Sequence, residues 1–228
     1  MTTLIADIGN CHFGSFNKAK ELIYEAKQNG ADIVKGQAFN NVNDIKGSMP
    51  IEFYKSCQFS QLQYLELIEY AESIGIPMFF SIFSSGLDLV FLKQKYCKLA
   101  ACQTEKMTLS EIELCDYPYY FISLSREKMI SQPIILKNAT VLYPSKYLAI
   151  EPKLYHLQEY KLMYDNFGYS DHTAGIDNCI KASKIYKVQT IEKHFCLSKN
   201  ISFNGEVFRD TIHGITPKEL YDLARGLK

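Results

Sequence analysis

The feature that most constrains this chain is a rhythm. Eight short apolar runs, Leu4–Gly9, Ile33–Gln37, Pro77–Phe83, Cys97–Ala101, Tyr119–Leu124, Ala139–Tyr143, Phe167–Ser170 and Thr190–His194, alternate with amphipathic stretches. Repetition of strand and helix builds a parallel sheet, because a crossover helix returns the chain to the start of the next strand. Eight such units favour closure into a barrel over an open sheet, since closure fills the interior with side chains and leaves no strand edge unpaired. The expectation is an α/β fold, a TIM (β/α)8 barrel. Its 228 residues are enough for one well-buried core and short for two, so residues 1–228 are read as a single domain.

Helical spacing is clearest at Phe16–Asn29, Ser60–Ser73, Ser84–Lys95, Thr108–Cys115, Ile176–Tyr186 and Pro217–Leu227. In the first, Ala19, Leu22, Ile23 and Ala26 make one apolar stripe, and Asn29-Gly30 is a stop signal. The last opens with Thr216 as N-cap, Pro217 at the first helical position and Glu219 at the third. Register is least defined between the fifth and sixth strands. There Arg126–Gln132 leaves room for about two helical turns, and Pro133–Leu136 competes with Tyr119–Leu124 for the fifth strand.

Composition excludes several classes of function. Hydrophobic residues at 47% and charged residues at 22% describe a folding globular chain. Twenty-five basic residues balance twenty-five acidic ones, so no global field holds a nucleic acid, although a local anion pocket stays open. The longest apolar stretches, such as Ile74–Phe83, fall far short of a bilayer span, and no basic segment with an apolar signal core opens the chain. A cytoplasmic protein is expected. Seven cysteines without a Cys-x-x-Cys pair argue against a disulfide framework and a structural zinc site. Most are read as small buried residues, with a rim position open to Cys102 and Cys196.

Barrel enzymes place their chemistry at the C-terminal ends of the strands, so polar residues that close apolar runs carry the most information. Strand one runs into Asp7-Ile8-Gly9-Asn10-Cys11-His12, and strand two carries Lys35 and Gln37 on one face. Lys98 falls on strand four. Strands seven and eight end in Ser170-Asp171-His172 and Glu192-Lys193-His194. The histidines end neighbouring strands, so they either converge on one ion or hydrogen-bond within their own loops. Lys35 and Lys98 either bind a phosphate or carboxylate, or sit at solvated strand ends, or form internal salt bridges with Asp7 or Glu192.

Four segments together resemble the sialic acid synthase family, the N-acetylneuraminate synthases and their relatives acting on other nonulosonic acids. Ile5-Ala6-Asp7-Ile8-Gly9-Asn10-Cys11-His12-Phe13-Gly14-Ser15 is similar to the family's opening Ala-Glu-Ile-Gly-x-Asn-His-x-Gly-Ser, and Gly30-Ala31-Asp32-Ile33-Val34-Lys35-Gly36-Gln37 to its Gly-Ala-Asp-x-Val-Lys-x-Gln. Gly168-Tyr169-Ser170-Asp171-His172-Thr173 and Ile191-Glu192-Lys193-His194-Phe195 resemble Gly-Leu-Ser-Asp-His-Thr and Ile-Glu-Lys-His-Phe. The resemblance implies condensation of phosphoenolpyruvate with an N-acylhexosamine or related aldose to a 2-keto-3-deoxy sugar acid, with release of phosphate, in carbohydrate biosynthesis.

It also implies a divalent metal held by His172 and His194, manganese in the family, with Mg2+, Co2+ or Zn2+ as alternatives. Lys35, Gln37, Lys98 and Ser170 would bind phosphoenolpyruvate, Asp210 would bind the amino sugar, and Asp7, His172 and His194 would be catalytic. The family's barrel is followed by a small antifreeze-like domain that covers a partner subunit's site. That domain is absent from the expectation here, and a homodimer stays open. Departures from the family lie on the phosphate side. Ala101 stands where a Ser is usual, Gln103 for Glu, Ile82 for Thr and Val141 for Asn, so a weakened donor site is expected. Two alternatives follow: a metal-dependent aldolase or lyase on a 2-keto acid, or a non-catalytic binding protein.

Overall fold

The computed structural model describes residues 2–45, 47, 49–106, 119–131 and 138–228. Eight parallel strands close into a barrel in chain order. They are β1 (Thr3–Gly9), β2 (Ile33–Ala38), β3 (Met78–Ile82), β4 (Cys97–Leu99), β5 (Tyr120–Ser123), β6 (Ala139–Pro144), β7 (Phe167–Asp171) and β8 (Thr190–His194). β8 pairs back onto β1, with Asp7 opposite His194. β5 pairs with both β4 and β6, so Tyr119–Leu124 supplies the fifth strand; Pro133–Leu136 lies outside the described residues.

Side chains alternate across each strand, and that alternation builds the site. Inside the barrel, Ile5, Ile33, Phe79, Phe121 and Leu142 form an apolar layer, with Phe79 and Phe121 stacked at 5.5 Å. Gly168 belongs to this layer by lacking a side chain, since a Cβ there would lie 2.5 Å from Leu142 Cδ2. Two residues further along the same inward face, Asp7, Lys35, Ser81, Ser123, Ser170 and Glu192 border the barrel mouth. The opposite face, with Ala6, Val34, Phe80, Ile122, Tyr169 and Ile191, packs beneath the helices.

The alternation corrects one expectation. Ile82 and Val141 belong to the outward face, in the core between barrel and helices, and neither borders the mouth. Their apolar side chains therefore remove no contact from the pocket. Ala101 does border it, and the strand expected to run to that residue ends at Leu99. Ala101 instead opens a short helix, Ala101–Thr104, where the Gln103 side chain accepts from Ala100 N at 2.9 Å and donates to Ile82 O at 3.0 Å.

Most expected helices form. Phe16–Gln28 (α1) buries Ala19, Leu22, Ile23 and Ala26, and Ser15 caps it by accepting from Lys18 N. Gln61–Ser73, Arg126–Ser131, Asp177–Tyr186 and Pro217–Leu227 follow, the last with Glu219 completing a capping box on Thr216. The helix expected over Ser84–Lys95 is confined to Asp88–Lys93. Ser84 is drawn out of it, its hydroxyl accepting from Asn40 N and Asn41 N at 3.1 and 3.2 Å, and Gly86 turns the chain at φ +75°. Thr108–Cys115 lies outside the described residues. Unforeseen elements are the helices Ile51–Cys57, Leu157–Met163 and Arg209–His213 (α2) and a hairpin pairing Ser202–Phe203 with Glu206–Val207.

Among the described residues no helix is long and apolar enough to cross a membrane. Six described cysteines are free; Cys102 is exposed on the cavity rim, whereas Cys196 is buried.

Candidate active site

A cavity of about 710 Å³ opens at the C-terminal ends of the strands. Asp7, Lys35, Gln37, Lys98, Ser170, His172, His194 and Asp210, singled out across more than two hundred positions of sequence, all line it. Their chemistry divides it into a lysine-rich floor and an imidazole-rich wall.

On the floor, Lys35 Nζ lies 2.7 Å from Asp7 Oδ2 and 3.4 Å from Glu192 Oε2. Lys98 Nζ donates to Glu192 Oε1 and Oε2 at 3.1 and 3.0 Å and to Ser123 Oγ at 2.9 Å. Ser170 Oγ donates to Glu192 Oε1 at 2.8 Å. Two buried carboxylates thus neutralise two buried lysines, the arrangement that makes charge tolerable away from water. Burial opposes ionisation of Glu192, but Lys35 and Lys98 hold its carboxyl well below the usual range. Burial lowers Lys98 to about 8 despite that carboxylate. Burial also raises Asp7, against the pull of Lys35.

Around this tetrad the floor offers hydroxyls. Ser81 Oγ is buried without a hydrogen-bond partner, and Ser125 and Ser145 join Ser123 and Ser170 in the lining. Gln37 accepts from Asn10 Nδ2 at 2.7 Å. Sequence reasoning missed Ser81 and Ser123, although each follows an inward-facing aromatic residue by two positions and so shares its face.

The wall carries His172, His194 and Asp210. His172 lies just past β7, its Nδ1 2.9 Å from Ser145 O and its backbone N donating to Ser145 Oγ at 2.8 Å. The carbonyl keeps the proton on Nδ1 and leaves the Nε2 lone pair free. The His172 and His194 ring centres are 5.5 Å apart. His194 Nδ1 is 3.4 Å from Asp7 Oδ2 and 3.9 Å from Asp210 Oδ2 and makes no hydrogen bond. Burial, reinforced by Asp7, pushes Asp210 up to about 7. Burial lowers both His172 and His194, keeping the imidazoles neutral.

Sequence reasoning missed His213, on the same short helix as Asp210. Ligand atoms of His194, Asp210 and His213 lie within 4.8 Å of one another. Gly9 leaves room for them: at φ +45° its backbone passes so close that a Cβ would sit 3.2 Å from Asp210 Oδ2 and 3.8 Å from His194 Nδ1. Buried nitrogens without hydrogen bonds, beside a carboxylate in a space kept clear, fit a divalent ion.

A closed barrel of eight parallel strands with charged and imidazole groups at its C-terminal mouth defines a (β/α)8-barrel enzyme. The chain belongs to the NeuB family, whose model matches residues 109–228. It is 30% identical to an uncharacterized protein of Methanocaldococcus jannaschii over 94% of this chain and 70% of that one. It is 27% identical to the N,N'-diacetyllegionaminic acid synthase of Legionella pneumophila, over 99% of this chain and 71% of the relative. Identity to the human N-acetylneuraminate-9-phosphate synthase is also 27%, over 99% of this chain and 69% of the relative. Among solved structures, the N-acetylneuraminic acid synthetase of Leptospira borgpetersenii in complex with citrate aligns with TM-score 0.83 at 25% identity, covering 99% of this chain and 82% of that one.

Proposed function

We propose that this enzyme condenses phosphoenolpyruvate with an N-acylhexosamine or related aldose, forming a 2-keto-3-deoxy sugar acid and inorganic phosphate. The observation that carries this reading is the joining of the two halves at Asp7, which touches Lys35 on one side and approaches His194 on the other. Lys35, Lys98, Gln37, Ser170 and the neighbouring serines bind the phosphate and carboxylate of the donor; Asp210 binds the sugar. His172 and His194 would hold a divalent ion, manganese by family resemblance, which would supply electrophilic activation of the aldehyde.

C3 of the enol donor attacks the aldehyde carbon, and the aldehyde oxygen takes up a proton to become a hydroxyl, leaving C2 electron-poor. Water adds at C2 and loses both its protons, one balancing that taken by the hydroxyl and one leaving with phosphate, as the C2–oxygen bond to phosphate breaks to leave the ketone. Asp7 holds Lys35 toward the donor and orients water through its carboxylate. Burial of the floor strengthens each of these contacts.

A second reading, an aldolase or lyase acting on a 2-keto acid, is favoured by the neutral tetrad, whose two lysines are already matched by Asp7 and Glu192. Phosphate release from phosphoenolpyruvate, assayed across N-acetylmannosamine, its 6-phosphate and related N-acylhexosamines, tests the first. Release should require donor, sugar and divalent ion together. Turnover of a 2-keto acid without any phosphate requirement would replace it with the second.

A further inference from the structure

His213 has no explanation within the barrel. It is fully buried, yet neither ring nitrogen has a hydrogen-bond partner. Leaving such a group unpaired is costly, so native proteins rarely keep one without a ligand or water to satisfy it. Its ring centre lies 5.0 Å from that of His194 and 5.8 Å from that of His172, while those two are 5.5 Å apart. Imidazoles sharing one ion through bonds of about 2.1 Å have ring centres roughly 5–6 Å apart. Tyr147 stacks on His172 at 4.4 Å and meets His213 edge-on at 5.1 Å, covering the group from the cavity side.

We infer that His213 is a third imidazole ligand, forming with His172, His194 and one oxygen of Asp210, whose other oxygen stays available to the sugar, a four-residue site selective for a borderline transition ion of the zinc or cobalt class over magnesium. His194, His213 and Asp210 already bring their ligand atoms within 4.8 Å of one another. His172 lies outside that close group and would enter as the fourth ligand through Nε2, the nitrogen left free while Nδ1 is held by Ser145 O. Three neutral imidazoles and one carboxylate suit zinc and cobalt, whereas magnesium prefers an oxygen shell. Asp210 and His213, three residues apart on α2, enter the site as one unit. The inference rests on the reading that this wall binds a divalent ion, but not on the reaction proposed.

The test uses the full chain stripped with chelator and loaded with Co2+, Zn2+, Mn2+ or Mg2+ in turn. Equilibrium titration should give one ion per chain, with Co2+ and Zn2+ binding at least about 100-fold more tightly than Mg2+. Loss of a direct ligand in His213→Ala should weaken Co2+ by more than about tenfold, with circular dichroism confirming the fold. Proton NMR of the cobalt-loaded unmutated chain should show three exchangeable, hyperfine-shifted imidazole N–H signals, a readout independent of whether the variant folds. Two signals, with unchanged affinity in His213→Ala, would overturn the inference and leave a two-histidine site standing. No bound ion in the unmutated chain would overturn both.

Discussion

Lys193 Nζ lies 2.9 Å from Asp171 Oδ2, and the two residues immediately precede His194 and His172. The pair is fully buried on the outward face of β7 and β8, where Asp171 Oδ1 also accepts from Tyr169 Oη and Thr173 N at 2.9 Å. An ion pair behind the strands thus fixes the spacing of the two imidazoles in front of them. Lys193→Met leaves a buried carboxylate uncompensated and should cost about 3–5 kcal/mol in chemical denaturation. The double variant Asp171→Asn/Lys193→Met should recover part of that loss.

Gly9→Ala introduces a Cβ 3.2 Å from Asp210 Oδ2 at φ +45°. The left-handed backbone should cost about 1–2 kcal/mol of stability. Calorimetric titration should also show weaker Co2+ binding, since the new methyl group occupies space beside two candidate ligands.

Donor binding should depend on pH through Lys98. Burial lowers this lysine to about 8, so its charge is complete below that pH and lost above it. Affinity for phosphoenolpyruvate should fall above that point by up to about tenfold per pH unit. Lys98→Met should bind weakly throughout and show a flatter profile.

Acid stability reports on His12. Burial lowers it to about 4, and its Nδ1 accepts from Gly14 N at 3.1 Å, so the folded chain holds it neutral. As pH falls from about 6.5 to about 4, the unfolded chain takes up a proton that the folded chain refuses. Stability is therefore present above about 6.5 and declines toward about 4, by up to about 3 kcal/mol in total. Urea midpoints across that window should fall less steeply in His12→Asn than in the unmutated chain.

The barrel was legible because burial imposes a period of two on each strand and helical stripes impose about 3.6 between them. The same period assigns Ile82 and Val141 to the outward face, a phase that motif resemblance alone does not carry, so neither substitution removes a contact from the pocket. The charged floor was legible as an alternative, since internal pairing of Lys35 and Lys98 with Asp7 and Glu192 is what burial requires. His213 was not, because α2 has only five residues and no apolar period marks it. Its approach to His194 is tertiary, set by the loop that returns from β8 and bridges Phe195 to Ile215.

The proposed reaction forms a carbon–carbon bond at C3 of phosphoenolpyruvate. Carbon-13 NMR of the metal-loaded enzyme, given N-acetylmannosamine and phosphoenolpyruvate labelled at C3, follows that atom directly. The expected result is conversion of the vinyl methylene signal to the aliphatic methylene of a 2-keto-3-deoxy acid, with one equivalent of phosphate released. Label appearing in the methyl group of pyruvate, or remaining in the vinyl position across the whole panel of acceptors, would contradict it.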